Sequence, residues 1–481
     1  MSTTIENIKI PYPTEGVIRS AQLSDTVCPE NSVQIAVNVN FDTIGAMTTR
    51  LGIATYATSL AGSVTSLGAL NIQGGVKRLY GQVGTNISVW NGATWSTART
   101  TTVSTKARYS QWLNRLYMVN GTDALQCSNG GAFSAEAGFI PATAMPLGDF
   151  IQAGFDGRIW IGNKANDALY YSDIVQFTPP STYTVTYDVS NYIETFSPQD
   201  GESMTGLFRV PKALLVFKQN HIYRVYNSSN VDAYPAYNVG TYSQESIVQA
   251  KDGLYFHHSS GFYKFNYDGQ PTEISRRIID FVKAIPRTSY ESIYGIYDGF
   301  DAVKWTIGSV TVEGVTYANC QVRYSISTQV WTIYDLGSTV TALIRYDNGT
   351  TIEQVAGTST GVIAKLDSGN TDLGSSIYFE VIDRWRSYTE MYSRSKSISG
   401  IMVASDNGAG TKLQYQAEKQ QPNVWTDIDS IKNNYIALFP NASTVDFNKS
   451  RLRLSGNTTG TPIVFYGIEL LAIQDKGLDQ N

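Results

Sequence analysis

Histidine, cysteine and paired carboxylates are the side chains that most often carry chemistry. This chain of 481 residues holds three histidines and three cysteines against 41 acids. His257 and His258 are adjacent. On a strand, neighbours point to opposite faces, so the two cannot bind one metal together. His221 falls near a predicted hairpin turn, where packing or surface placement is the simpler reading. Cys28, Cys127 and Cys320 are odd in number and far apart, which predicts neither a disulfide framework nor a paired-cysteine metal site and points to a reducing compartment at synthesis. Gly-x-x-x-x-Gly-Lys-Ser/Thr does not occur, so the phosphate motif is missing. A sialidase-type Ser-x-Asp-x-Gly-x-x-Trp turn is missing too; Ser405-Asp-Asn-Gly408 departs in register and lacks the tryptophan. The acids leave a placed glycosidase pair open, but nothing singles one out. The expectation is a protein that is not an enzyme and uses no cofactor and no metal.

Two features remain that could meet a partner. Lys449, Arg451 and Arg453 alternate with Leu452 and Leu454, so on a strand the basic groups share one face and the leucines the other. Arg384-Trp-Arg386 is similar. The functional reading is a face for DNA or an acidic partner; the plainer one is a solvated sheet face. Asp-Gly recurs at Asp156-Gly157, Asp252-Gly253 and Asp298-Gly299. Calcium wants several oxygen ligands at close spacing, and no Asp-x-Asp-x-Asp-Gly run is present, so turn chemistry is the better account.

The elements that must position these residues are strands. Charged residues make up 16% of the chain, against ~25% in ordinary soluble domains. Tyrosine (31) and glycine (41) are abundant, the first suited to pleated, half-buried surfaces and the second to turns. The net charge of -5 argues against tight binding to duplex DNA, whose affinity comes from neutralising phosphates. The first residues lack a basic-then-apolar leader pattern, and the longest apolar runs, such as Ala213 to Phe217, are far too short to span a bilayer. No membrane insertion is expected.

A repeat organises residues 74–375. An apolar strand recurs at Arg78-Leu-Tyr-Gly, Arg115-Leu-Tyr-Met, Arg158-Ile-Trp-Ile, Ala213-Leu-Leu-Val-Phe, Gly253-Leu-Tyr-Phe, Ala302-Val-Lys-Trp and Ile352-Glu-Gln-Val. The spacing suits four-stranded propeller blades. Hairpins with Asn-Gly or Asp-Gly corners accompany it, and Trp95, Phe133 and Trp331 shortly after such corners are expected to pack one blade on the next. Seven units are counted; the fourth has a long insertion and the last is weak, so six is the alternative. Arg276 to Ile285 has helical spacing and stops at Pro286, which predicts a packing helix between blades. Residues 1–73 read as an N-terminal arm with first strands, 376–475 as a β-sandwich-like domain, and 476–481 as a tail. WD-type and kelch signatures are absent. The fold expected is all-β, a propeller with a C-terminal sandwich.

The order of several short motifs resembles one family. Asn38-Val-Asn40 precedes Thr49-Arg-Leu-Gly52; Gly157-Arg-Ile-Trp160 leads to Leu169-Tyr-Tyr-Ser-Asp173. Met204-Thr-Gly-Leu207 precedes Leu214-Leu-Val-Phe-Lys218 and Ile222-Tyr223. Asp252-Gly-Leu-Tyr-Phe256 runs into Gly261-Phe-Tyr263 and Ile274-Ser-Arg-Arg-Ile-Ile279. Over residues 30–345 this resembles the packaged-DNA stabilisation and tail-nozzle proteins of short-tailed bacteriophages. The resemblance implies a propeller body, a ring commonly of six subunits in the virion tail, neighbouring tail or connector proteins as partners, and DNA that passes without tight binding, all assembled in the host cytoplasm. No catalytic residues carry over. The alternative from another class is a carbohydrate-binding or carbohydrate-cleaving propeller, motivated by abundant Tyr and Trp.

Overall fold

The computed structural model describes residues 5–19, 29–43, 45–179, 182–193, 201–231, 237–267, 269–387, 394–418, 424–432, 435–438, 449–458 and 460–478. Cys28 and the end of the tail, 479–481, lie outside them.

Each of the seven apolar motifs is the second strand of an antiparallel blade, six of them separate small sheets and the Ala302 one the start of a larger sheet. These strands are Lys77–Val83, Arg115–Val119, Arg158–Asn163, Ala213–Phe217, Gly253–His258, Ala302–Val312 and Ile352–Thr358. They sit mid-sheet between neighbouring blades and are buried on both faces, completely so at Ala213–Phe217 and Gly253–His258. Double-sided burial makes them read as continuous apolar runs. Ahead of each lies a more polar first strand: Val64–Asn71, Arg108–Trp112, Phe150–Phe155, Gly206–Val210, Val248–Ala250, Tyr294–Tyr297 and Val340–Asp347. The body is a seven-bladed propeller, and the weak last unit is a true blade.

The seventh blade is completed by a strand from far upstream. Ala54–Ala57 pairs with Ile363–Lys365, and the chain then enters blade 1 at Val64. First and last blades are thereby tied by ladder hydrogen bonds, closing the ring. The propeller begins before residue 74 because its opening strands lack the apolar signature of the repeat.

Aromatic packing joins the blades. Phe133 of the blade 2 return lies 5.0 Å from Tyr80 of blade 1. Trp331 of blade 6 packs tilted, 5.5 Å from Phe262 of blade 5, and donates its indole N–H to the Ile274 carbonyl at 2.9 Å. Trp95 packs on Trp90 within its own blade and donates to the Thr58 carbonyl at 2.8 Å, beside the closing strand. The helix forms at Ile279–Ala284, after a 3-10 turn at Arg276–Ile278. It lies between blades 5 and 6 and buries Phe281 against Tyr317.

The N-terminal residues do not form a separate arm; their strands complete the C-terminal sandwich. One of its sheets runs Tyr435–Leu438, Arg394–Asp406, Val464–Leu478, Ala46–Thr49, Val39–Thr43, with Ile5–Ile10 also on Val464–Leu478. The other extends blade 6: its outer strand Trp331–Asp335 adjoins Ser32–Val37, followed by Ile377–Asp383, Ser450–Thr458, Lys412–Ala417 and Thr426–Ser430. Phe379 and Phe465 meet between the sheets at 5.8 Å. This core is continuous with Trp305 and Trp331 of the propeller. The last strand runs on through Leu478, so a tail from 476 is not what the backbone forms there.

One buried ion pair joins the two parts. Arg50 donates to both carboxylate oxygens of Asp372, at 2.9 and 2.5 Å, and to Asn38 Oδ1 at 2.7 Å. Asn38, at φ 58°, donates to the Tyr378 carbonyl and accepts from Asp335 N–H. Gly52 passes so close to Thr371 that a Cβ there would lie 2.1 Å from its carbonyl oxygen. Only glycine fits.

Candidate functional site: the central channel and the basic strand

The first strand of every blade faces the propeller axis and offers one unpaired edge there. Unpaired buried backbone is costly, and polar side chains of adjacent blades satisfy part of it. Gln111 accepts from Asn71 N–H at 2.8 Å and donates to its carbonyl at 2.6 Å. Gln244 does the same for Leu207, and Thr341 donates to the Val64 carbonyl. The channel is polar because its walls are sheet edges.

A charged cluster divides this channel. Glu245 accepts from Arg108 Nε at 3.0 Å and lies 3.5 Å from the Lys106 ammonium. Lys106 also donates to the Tyr294 hydroxyl at 2.8 Å and sits 4.4 Å from that ring's centre. Arg108 reaches the Asp149 carbonyl and covers the Phe150 ring at 4.7 Å. Burial pushes the Glu245 carboxyl up, but Arg108 and Lys106 outweigh it and hold the group at about 2. Lys106, Arg108, Glu245 and Tyr294 line two cavities at once. One, of about 410 Å³, runs toward Thr65, Gln111 and Phe208; the other, of about 380 Å³, opens past Asp149, Lys164 and Glu291. The four residues thus form a septum between two chambers. Each chamber has the volume of a small-molecule site, far too little for a duplex whose major groove alone is ~12 Å wide.

The basic strand is placed as follows. Leu452 and Leu454 point inward and are buried, while Arg451 and Arg453 share the outer face. Lys449 falls just ahead of the strand Ser450–Thr458 rather than on it. Arg453 pairs with Glu380 at 2.5 Å and donates to the Tyr378 hydroxyl at 3.0 Å. Arg451 donates to Gln416 and Gln34 and lies between the Trp385 and Trp425 rings, at 4.8 and 5.2 Å. Arg386 grips Asp383 with two bonds. The arginines are spent on neighbours in the sandwich, and both tryptophan rings carry a guanidinium. Neither is an open platform.

The Asp-Gly carboxylates also serve their own hairpins. Asp156 and Gly157 both have positive φ, 50° and 65°, as a tight two-residue corner requires. Asp252 accepts from Tyr255 and Lys264, and one Asp298 oxygen accepts the backbone N–H groups of Phe300, Asp301 and Ala302.

His257 and His258 do point apart. His257 is fully buried between Phe262 and Tyr290, 5.1 Å from each ring centre, with both nitrogens unpartnered; burial, with the charge of His258 adding, lowers it to about 3. His258 instead bonds Asn220 and Ser260. His221 lies 3.2 Å from Glu202. Among the described residues no three His, Cys, Asp or Glu converge as a metal cluster, and no helix is long and apolar enough to cross a membrane.

The sequence reading missed Lys106, Arg108 and Glu245. A signal existed: Arg108 and Glu245 stand seven and eight positions ahead of the apolar repeats at Arg115 and Gly253, Arg108 on the first strand of its blade and Glu245 in the 3-10 turn Gln244–Ser246 just ahead of one.

No family model matches the chain, and no curated protein matches it. Among solved structures, the extracellular domain of a putative one-component system, BT4673 from B. thetaiotaomicron, is similar over 92% of this chain and 63% of its own, with 11% identity and a TM-score of 0.45. A chain of the mitotic checkpoint complex covers 66% of this chain and 93% of itself at 12% identity and a TM-score of 0.41. YCF48 bound to D1 peptide covers 68% and 97% at 12% identity and a TM-score of 0.37.

Proposed function

We propose that this chain is a structural protein of a short-tailed bacteriophage tail, a nozzle or packaged-DNA stabilisation subunit that works by assembling with copies of itself into a ring, six in the family it resembles. It acts by shape and contact, without catalysis. The observation that carries this reading is where the resembling motifs fall: they occupy the joints of the body. Asn38, Arg50 and Gly52 sit at the seam between propeller and sandwich. Trp160, Leu214 to Phe217 and Leu254 to Phe256 fill blade cores. A resemblance carried by a mechanical frame rather than a reactive centre suits a virion component.

On this reading DNA passes through the ring that several subunits enclose, because the propeller's own channel is stoppered by the Lys106–Glu245–Arg108 septum. Mild acidity keeps the passage weakly binding, since each phosphate contact would add affinity and slow ejection. Neighbouring tail or connector proteins, assembly in the host cytoplasm and final residence in the virion tail belong to the same proposal. Negative-stain microscopy of the purified protein is expected to show closed rings, and labelled antibody is expected to mark the tail of the particle. A monodisperse monomer absent from particles would refute the proposal.

A further inference from the structure

Large apolar side chains left in water are uncommon when they gather, and here they gather on one face of the propeller at two opposite sides. The connection between the third and fourth strands of blade 3 is long and carries its own hairpin, Gln176–Thr178 paired with Thr182–Thr184. On and around it Ile174, Phe177, Val189 and Tyr192 are 52%, 53%, 74% and 43% exposed. Phe177 lies 5.1 Å from Tyr183, which in turn lies 5.7 Å from Phe139, so the hairpin is braced by its own aromatics and still presents an apolar side. The second group is Phe300, 84% exposed, and Ile352, 61% exposed. Phe300 stands in the connection between the first and second strands of blade 6, and Ile352 opens the second strand of blade 7. Strands alternate in direction within each antiparallel blade, so first-to-second and third-to-fourth connections emerge on the same face. Blade 3 lies three or four positions from blades 6 and 7 in a ring of seven, so the two groups cannot meet within one molecule.

The Phe300 turn is built to hold that ring outward. Asp298 Oδ1 accepts three successive backbone N–H groups across it, and Tyr297 donates its hydroxyl to the Phe300 carbonyl. Charge also differs between the groups. Residues 172–192 contain Asp173 and Asp188 and no Lys or Arg. Beside Phe300, Arg345 is exposed over the Tyr297 ring. The adjacent acids Asp301 and Asp347 are already paired with Lys251 and Lys77.

We propose that the blade 3 hairpin of one copy docks on the Phe300–Ile352–Arg345 face of a second copy, with Asp188 opposite Arg345. The inference rests on the assembly reading above and names the surface that reading leaves open. Meeting head to tail, the two patches make a heterologous contact, which closes into a ring when the rotation allows.

The test uses the full chain, with sedimentation velocity and circular dichroism. Wild type is expected to assemble. Phe177→Ser with Val189→Ser, and separately Phe300→Ser with Ile352→Ser, are each expected to keep the wild-type spectrum and associate about tenfold or more weakly, as truncated interface anchors do. Mixed in equal amounts, the two variants are expected to form a complex of two and no larger, because each retains one intact half. Asp188→Arg is expected to weaken assembly, and Arg345→Asp in the same chain to restore it. Variants that assemble like wild type overturn the docking surface while leaving the ring reading intact. A wild type that stays monomeric at all concentrations overturns both.

Discussion

Replacing Glu245 by glutamine removes one negative charge from the septum and leaves Lys106 and Arg108 facing each other across the channel, with shape almost unchanged. The Glu245 carboxyl ordinarily titrates near 4.5 and is held here at about 2. Each pH unit of that difference corresponds to ~1.36 kcal/mol, so the cluster stabilises the fold by about 3 kcal/mol. A fifth of the side chain stays open to solvent, and screening there trims the figure toward about 2 kcal/mol. The folded state holds the carboxyl ionised more tightly than the unfolded chain does. The contribution is therefore complete above pH ~4.5 and disappears as pH falls through ~2. For a cooperative unit of about 300 residues, about 2 kcal/mol corresponds to a drop in Tm of about 3 °C. Calorimetry of wild type and Glu245→Gln at pH 7 is expected to show a gap of that size, which narrows steadily as pH is lowered from 4.5 toward 2. A variant that melts with wild type at pH 7, or a gap that is constant with pH, would refute the assignment of Glu245 as the charge that binds the septum together.

His257 is held neutral by burial, its folded value lying well below that of an exposed imidazole, so its contribution to stability is present above pH ~6.5 and is lost as pH falls toward ~3. His257→Phe is expected to lower the midpoint of acid unfolding, followed by intrinsic fluorescence; an unchanged midpoint would contradict this. Arg50→Met breaks a buried pair and leaves Asp372 uncompensated, at a cost of about 3–5 kcal/mol, and urea unfolding should show an earlier transition as the sandwich parts from the propeller. Changing Lys449, Arg451 and Arg453 together to alanine is expected to lower Tm through lost packing on Trp385 and Trp425, with no change in fluorescence anisotropy of labelled duplex DNA at physiological salt. A clear loss of DNA binding would instead make this strand a nucleic-acid face.

The sequence alone carried the repeat, its spacing and its chemistry. Second strands such as Gly253–His258 are buried on both sides, which forces an unbroken apolar run. Asp156-Gly157 can only be a tight corner, and Pro286 must end the helix that precedes it. These are local constraints, written over a few residues. The ring's closure by Ala54–Ala57, the use of N-terminal strands to finish the C-terminal sandwich and the Arg50–Asp372 pair all join residues more than 300 positions apart. Weakly patterned strands like these take their place only from the partner they meet. The septum followed the same rule. Lys106, Arg108 and Glu245 look like surface charges in one dimension, and only the circular arrangement of blades brings them onto one axis, where shared burial makes them pair with each other instead of with water.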